Sequence, residues 1–179
     1  MRKFRQHNTL VTFPTTVRTK RTILRQITLD DAKAWKSFNN KINKKMESWP
    51  IVPSIVYARN EILNYERVWK SAEGHVYVVI AQKTGKLIGD VHLKKADKKY
   101  KRVEFGHALT PEVWGTGITY ELLDAIKTMT KRKKLIVWGK VEEENIRSWK
   151  SLEKYGATYT GKKKYKINNE YKQMRVYEL

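Results

Sequence analysis

Apolar positions along this chain recur at two spacings, and the places where the spacing changes mark its elements. Thr22-Ile23-Leu24-Arg25-Gln26-Ile27 reads as a short strand. Asp30-Asp31 predicts a helix start, with acids where the dipole favours them, and Ala34, Trp35, Phe38 and Ile42 give that helix an apolar stripe. Pro50 and Pro53 break the chain before a second helix near Arg59 to Ser71, where Ile62, Leu63, Tyr65, Val68 and Trp69 mix core and groove candidates. Val76 to Ala81 is a largely apolar strand; Lys83-Thr84-Gly85-Lys86 makes a hairpin turn, and Leu87 to Leu93 returns. After a basic turn over 94–102, Val103 to Leu109 adds a strand. A glycine-containing loop then opens a helix over 117–132, with Leu122, Leu123, Ile126 and Met129 on its apolar face. A strand from Leu135 to Trp138, a helix over 145–155 and two closing strands near 157–166 and 170–178 complete the pattern. Helices, an antiparallel meander, one crossover helix and a final hairpin predict an α/β fold: a central twisted mixed sheet, mostly antiparallel, flanked by helices. Residues 1–20 lack periodicity and read as a basic arm or a loosely packed first strand, and 21–179 read as one domain.

Composition narrows the chemistry. A chain of 179 residues can bury roughly 70% of its unfolded surface, so it needs no staple. It has no cysteine, which excludes disulfides, thiolate metal sites and cysteine nucleophiles. The histidines His7, His75, His92 and His107 show no pair at metal-ligand spacing, so no metal is expected. No apolar run approaches the roughly 18 residues of a membrane span, and the N-terminus lacks the apolar core of a signal peptide. A cytoplasmic protein without a membrane partner is expected.

Charge changes the picture more. Lys and Arg number 38 against 18 Asp and Glu, a net +20. Basic clusters lie over 94–102, Lys131 to Lys134 and Lys162 to Lys166, and the first 29 residues hold seven basic residues and no acid. Such a surface attracts polyanions and repels polycations. It is either a set of solvated faces or a surface for RNA or the ribosome; polyamine and aminoglycoside acceptors are disfavoured.

The segment Pro111-Glu112-Val113-Trp114-Gly115-Thr116-Gly117-Ile118-Thr119 lies between a strand and a helix. That order points backbone N–H groups at an anion, with the helix dipole behind them. Dinucleotide and Walker patterns do not fit: Tyr120 stands where G-x-G-x-x-G needs its third glycine, and no G-x-x-x-x-G-K-[ST] occurs. About 30 residues on come Asn145-Ile146-Arg147-Ser148 and Leu152-Glu153-Lys154-Tyr155-Gly156. Together these segments resemble the GNAT superfamily of acyl-CoA N-acyltransferases. They most resemble its ribosomal-protein N-terminal acetyltransferase branch, whose loop reads W-G-x-G and whose later motif reads N-x-x-S, then E-K-x-G. The resemblance covers roughly 21–179.

The resemblance implies acetyl-CoA as cosubstrate and direct transfer to an amine. The N–H groups of Trp114, Gly115, Thr116, Gly117, Ile118 and Thr119 would ring the pyrophosphate. Leu109 and Thr110 would belong to the cofactor site, with a strand N–H near Leu109 holding the tetrahedral oxyanion. Asn145 is an N-cap by position; the resemblance adds a hydrogen bond to the pantetheine arm. Ser148, one turn on, would sit near the thioester sulfur. Glu104, in Glu104-Phe105-Gly106, matches the branch's Glu-hydrophobic-Gly and would take the amine's proton, with burial tuning it; pairing with a neighbouring Lys or Arg is the structural alternative. His107 falls on the opposite sheet face from Glu104. Two departures stand out: Thr119 replaces the branch's usual Gly or Ala, and Leu152 stands where many superfamily members carry a tyrosine acid. The expected function is therefore acetyl transfer to a primary amine, foremost a ribosomal-protein N-terminus. An aminoacyl-tRNA amine is an alternative acceptor, and a non-catalytic RNA- or ribosome-binding protein on the same fold is the alternative of another class.

Overall fold

The computed structural model describes residues 11–46, 49–97, 101–167 and 170–179, side chains over 95–97 excepted. In chain order the strands and helices are β1 (Thr16–Arg18), β2 (Thr22–Gln26), α1 (Ala32–Asn43), α2 (Ile55–Lys70), β3 (Gly74–Ala81), β4 (Leu87–Asp97) and β5 (Arg102–Leu109). They continue with α3 (Ile118–Lys131), β6 (Ile136–Glu142), α4 (Ile146–Tyr155), β7 (Thr158–Ile167) and β8 (Glu170–Glu178). One eight-stranded sheet runs β1-β2-β3-β4-β5-β6-β8-β7. Every pairing is antiparallel except β5 with β6, which α3 joins as a crossover. This is the mixed, mostly antiparallel sheet with flanking helices that the periodicity predicts.

Two apolar layers hold it together. On one face Leu122, Leu123, Ile126 and Met129 of α3 pack with Leu24, Val79, Val91, Leu93, Val103 and Tyr177. On the other, Trp35, Phe38 and Ile42 of α1 and Ala58 and Ile62 of α2 cover Val76, Val78 and Ala108. Asp31, in a short 3-10 turn that precedes α1, takes a bidentate bond from Arg25 and so ties α1 to β2. No helix is long and apolar enough to cross a membrane among the described residues.

Boundaries moved where polar residues extend an element. α2 starts at Ile55 rather than near Arg59, because the Ser54 hydroxyl accepts from the Tyr57 N–H and caps it. Half of the expected basic turn is strand, with Lys94–Asp97 continuing β4 and Arg102 opening β5. β6 runs on to Glu142, well past Trp138, since β8 pairs with that extension. Of the N-terminal arm, residues 1–10 lie outside the described ones; Val11 and Phe13 are buried in the core.

The feature that positions the site is a failure of pairing. β5 and β6 are in register only over Arg102, Val103 and Glu104 against Ile136, Val137 and Trp138. Beyond this they part. Gly139 marks the parting point: a Cβ there would lie 2.9 Å from the Phe105 carbonyl oxygen.

Candidate active site

The Thr110 N–H donates to the Ile88 oxygen at 2.8 Å, which fixes the alternation along β5. Even-numbered residues bond to β4, and odd-numbered ones point toward β6. Since β6 has left, the N–H groups of His107 and Leu109 face the open wedge. Two strand donors are thus presented with no strand to receive them. Leu109 was expected from the sequence; His107 N–H was not, because only the sheet order reveals it. The N–H of the neighbouring Thr110 is taken by β4.

At one end of the wedge lies the glycine loop. Gly115 and Gly117 have φ of 75° and 83°, the left-handed region that glycine tolerates best. Among the described residues no protein acceptor takes the N–H of Gly115, Gly117, Ile118 or Thr119. Ile118 is buried and anchors the start of α3, whose first-turn donors therefore converge on one spot. The Trp114 indole N–H donates to the Leu109 oxygen at 2.7 Å, closing the loop onto β5. The Thr116 carbonyl accepts from Arg21 Nη1 at 2.9 Å, and Arg21 Nε donates to Glu121 at 2.5 Å. Burial pushes the Glu121 carboxyl up, but the bonds from Arg21 and Thr19 outweigh it and hold the group below its ordinary range. Arg21 was not anticipated, being 100 residues away in sequence. Replacing Arg21 with alanine removes this brace and a nearby positive charge, so acetyl-CoA affinity should fall about tenfold. Isothermal titration beside an unchanged circular dichroism spectrum checks this.

α4 closes the other side. Asn145 Oδ1 accepts the Ser148 N–H at 3.3 Å, the capping role expected of it. Asn145 and Ser148 line the wedge together with His107 and Trp114. The Arg147 guanidinium lies 3.3 Å from the centre of the Trp114 ring, joining α4 to the loop. Tyr155 faces away and donates its hydroxyl to Asp124 at 2.5 Å.

Through the wedge the site opens onto the α1/α2 face, as a cleft of about 740 Å³. Trp35, Trp49, Tyr57 and Tyr65 form its aromatic wall, and Asp90, His92, Gly106, Lys140 and Glu144 supply polar and open surface. Glu104 is buried and paired with Lys140 Nζ at 3.0 Å, and it does not border the cleft. Glu104 is thus ion-paired, but to Lys140 on the parallel strand β6 rather than to a basic residue of the neighbouring hairpin. His107 lies on the opposite face from Glu104, stacked on Phe105, and burial pushes its pKa down to about 4. Gly106 is informative in another way. A Cβ at Gly89 would meet the Ala108 oxygen at 2.5 Å, whereas one at Gly106 would meet nothing within 4 Å. Packing requires Gly89; the space at Gly106 is left open to the cleft.

Residues 21–158, which hold the wedge, the glycine loop and Ser148, match the family model described as an acetyltransferase (GNAT) domain. The chain belongs to the GNAT acetyltransferase family. Among GNAT relatives, the uncharacterized N-acetyltransferase YoaA of Bacillus subtilis is 28% identical over 109 residues. That match covers 60% of this chain and 62% of the relative, less than two thirds of its length. Solved GNAT structures share the fold. A protein from Vibrio cholerae, provisionally identified as a ribosomal-protein-serine acetyltransferase, has a TM-score of 0.84 at 22% identity, covering 94% of this chain and 99% of that one. RimL, a ribosomal L7/L12 α-N-protein acetyltransferase in complex with coenzyme A, has a TM-score of 0.78 at 19% identity, covering 94% and 97%. The microcin C7 self-immunity acetyltransferase MccE, with acetyl-CoA and AMP, has a TM-score of 0.82 at 19% identity, covering 93% and 96%.

Proposed function

We propose that this protein transfers the acetyl group of acetyl-CoA to the free N-terminus of a protein, a ribosomal protein being the foremost acceptor. The family and the unpartnered loop N–H groups support acetyl-CoA as donor. Gly115, Gly117, Ile118 and Thr119 would hold the pyrophosphate, since the N–H groups of Trp114 and Thr116 donate to the Pro111 and Val113 oxygens at 3.2 and 3.4 Å. Asn145 would hold the pantetheine through the amide nitrogen its cap leaves free. The amine nitrogen attacks the thioester carbonyl carbon, and the N–H groups of Leu109 and His107 receive the developing oxyanion. When the C–S bond breaks, the Ser148 hydroxyl protonates the departing thiolate. Transfer is direct, without a covalent enzyme intermediate.

The observation that carries a protein acceptor is the rim of the cleft. Ile51 and Tyr57, 61% and 45% exposed, line the cleft, and the start of α2 beside them exposes Ile55 and Val56 at 41% and 67%. Exposed apolar residues gathered at a site entrance suit a polypeptide better than a small polar amine. Ribosomal-protein acetyltransferases among the structural neighbours favour the same reading. Those relatives lend no support to an aminoacyl-tRNA acceptor or to RNA binding.

The test is transfer of labelled acetyl groups from acetyl-CoA into a cell extract, divided by protease and nuclease sensitivity. Protease-sensitive label is expected. Nuclease-sensitive label would move the acceptor to aminoacyl-tRNA. Acetyl-CoA at a hundredfold excess over Kd should also stabilise the fold by about 2.7 kcal/mol. No label together with no stabilisation would overturn the enzyme reading.

A further inference from the structure

Acyl transfer needs the acceptor amine to lose a proton, and Glu104, bound to Lys140, stands outside the cleft. The strand beside it carries a pair that stands inside. Asp90 and His92 are two apart on β4, so both point to the α1/α2 face. Asp90 is 2% exposed, and its Oδ2 accepts the Trp35 indole N–H at 3.1 Å and lies 3.4 Å from His92 Nε2. The edge of Tyr65 meets the His92 ring, with centroids 5.6 Å apart. Trp35 and Tyr65 themselves meet edge to face at 5.9 Å. A buried carboxylate and the Tyr65 ring thus flank one imidazole at the wall of a cleft, and Trp35 braces both of them.

His92 lies directly across from Gly106 on β5, where the missing side chain leaves open space. Gly106 adjoins His107, whose N–H faces the wedge from the other side of the strand. An imidazole here flanks the place where an amine would meet the thioester.

We propose that His92 is the catalytic base that takes the proton from the acceptor amine, and that Asp90 is its positioning residue. This rests on the acetyltransferase reading above. In the tautomer that carries its proton on Nε2, the nitrogen beside Asp90, Nδ1 holds the ring's lone pair. As the C–N bond forms, the amine's proton passes to Nδ1, directly or through one water, and the electron pair of the broken C–S bond leaves on sulfur. Asp90 balances the resulting imidazolium. The other charged or titratable groups around His92 are Glu61 and Tyr65 of α2, Lys94 of β4, Glu104 of β5 and Lys140 of β6. α1 contributes the neutral Trp35, and the β3 residue opposite His92 is Val76.

The experiment compares wild type, His92→Gln, Asp90→Asn and Glu104→Gln, using the acceptor found by extract labelling. His92→Gln should lower kcat by about a hundredfold or more and remove the acid limb of the kcat/KM profile. Its stabilisation by acetyl-CoA should stay at the wild-type level, which separates lost chemistry from lost folding. Asp90→Asn should move the acid limb to lower pH, since the imidazolium loses its counter-charge. NMR titration of the His92 ring, assigned by its absence in His92→Gln, should show the same downward move without any turnover. Retained activity in His92→Gln, an acid limb that disappears in Glu104→Gln instead, or a His92 titration indifferent to Asp90→Asn would each overturn the proposal. Wild type that neither transfers acetyl groups nor is stabilised by acetyl-CoA would instead overturn the underlying function.

Discussion

Gly117→Val is expected to weaken acetyl-CoA binding about a hundredfold while leaving the fold in place. Gly117 holds φ at 83° and caps α3, and the nearest atom to an added Cβ would be Arg21 Nη2 at 3.6 Å. The substitution therefore meets no wall. What it meets is the left-handed backbone, which costs an ordinary residue roughly 1–2 kcal/mol and a β-branched one more. A domain with a stability of about 5–15 kcal/mol survives that. The loop relieves the strain by turning its peptide planes, and the N–H groups of Gly117, Ile118 and Thr119 no longer converge. Each carries one of the few interactions available to a phosphate, so affinity should drop by about a hundredfold, roughly 2.7 kcal/mol. Thermal shift with and without acetyl-CoA, beside circular dichroism, checks this. Thr119→Gly, which restores the branch's usual small residue, should bind at least as tightly as wild type. Wild-type affinity in Gly117→Val would mean that the loop is only a turn.

The parts of the site that were legible from sequence are those built from neighbours along the chain. Gly115, Gly117 and the start of α3 lie in one segment, and so do Asn145 and Ser148. A local pattern suffices for them, because a left-handed turn or an N-cap is made by residues a few positions apart. The strong periodicity of α3 and the apolar run of β3 placed most of the fold for the same reason. The acceptor side is different. Trp35 reaches Asp90 across 55 residues and Arg21 reaches Glu121 across 100. Lys140 meets Glu104 only because β6 pairs parallel with β5 for three residues. None of these partners follows from spacing. The insertion of β8 between β6 and β7 is likewise invisible until the sheet order is known. Asp90 and His92 did leave a local sign, two ionisable residues alternating within an otherwise apolar strand. Alternation assigns them to one face, and only the packing of α1 and α2 turns that face into a cleft.

Acid should destabilise this protein well before its carboxylates protonate, and His75 is one of two buried rings that cause it. Its ring is 1% exposed, wedged edge-on between Phe13 and Trp69, and its Nδ1 has no hydrogen-bond partner among the described residues. Burial, helped by the nearby Lys133, pushes its pKa from the ordinary 6.5 down to about 4. Between those values the unfolded chain binds a proton that the folded chain refuses, so stability falls as pH drops from 7 toward 4. At pH 5 the loss from this one ring is about 2 kcal/mol, approaching about 3 kcal/mol below pH 4. His107, held at about 4 by burial, adds a loss of the same sign. The carboxyls of Asp31 and Glu121 sit below their ordinary range, so their contribution is lost only at more acidic pH. Urea midpoints at pH 7 and pH 5 isolate the histidine window. His75→Phe, which keeps an aromatic ring between Phe13 and Trp69 and removes the unpartnered nitrogen, should raise stability at pH 5 and remove about half of the wild-type slope. An unchanged slope in His75→Phe would show that the ring protonates without cost and is not sealed from water.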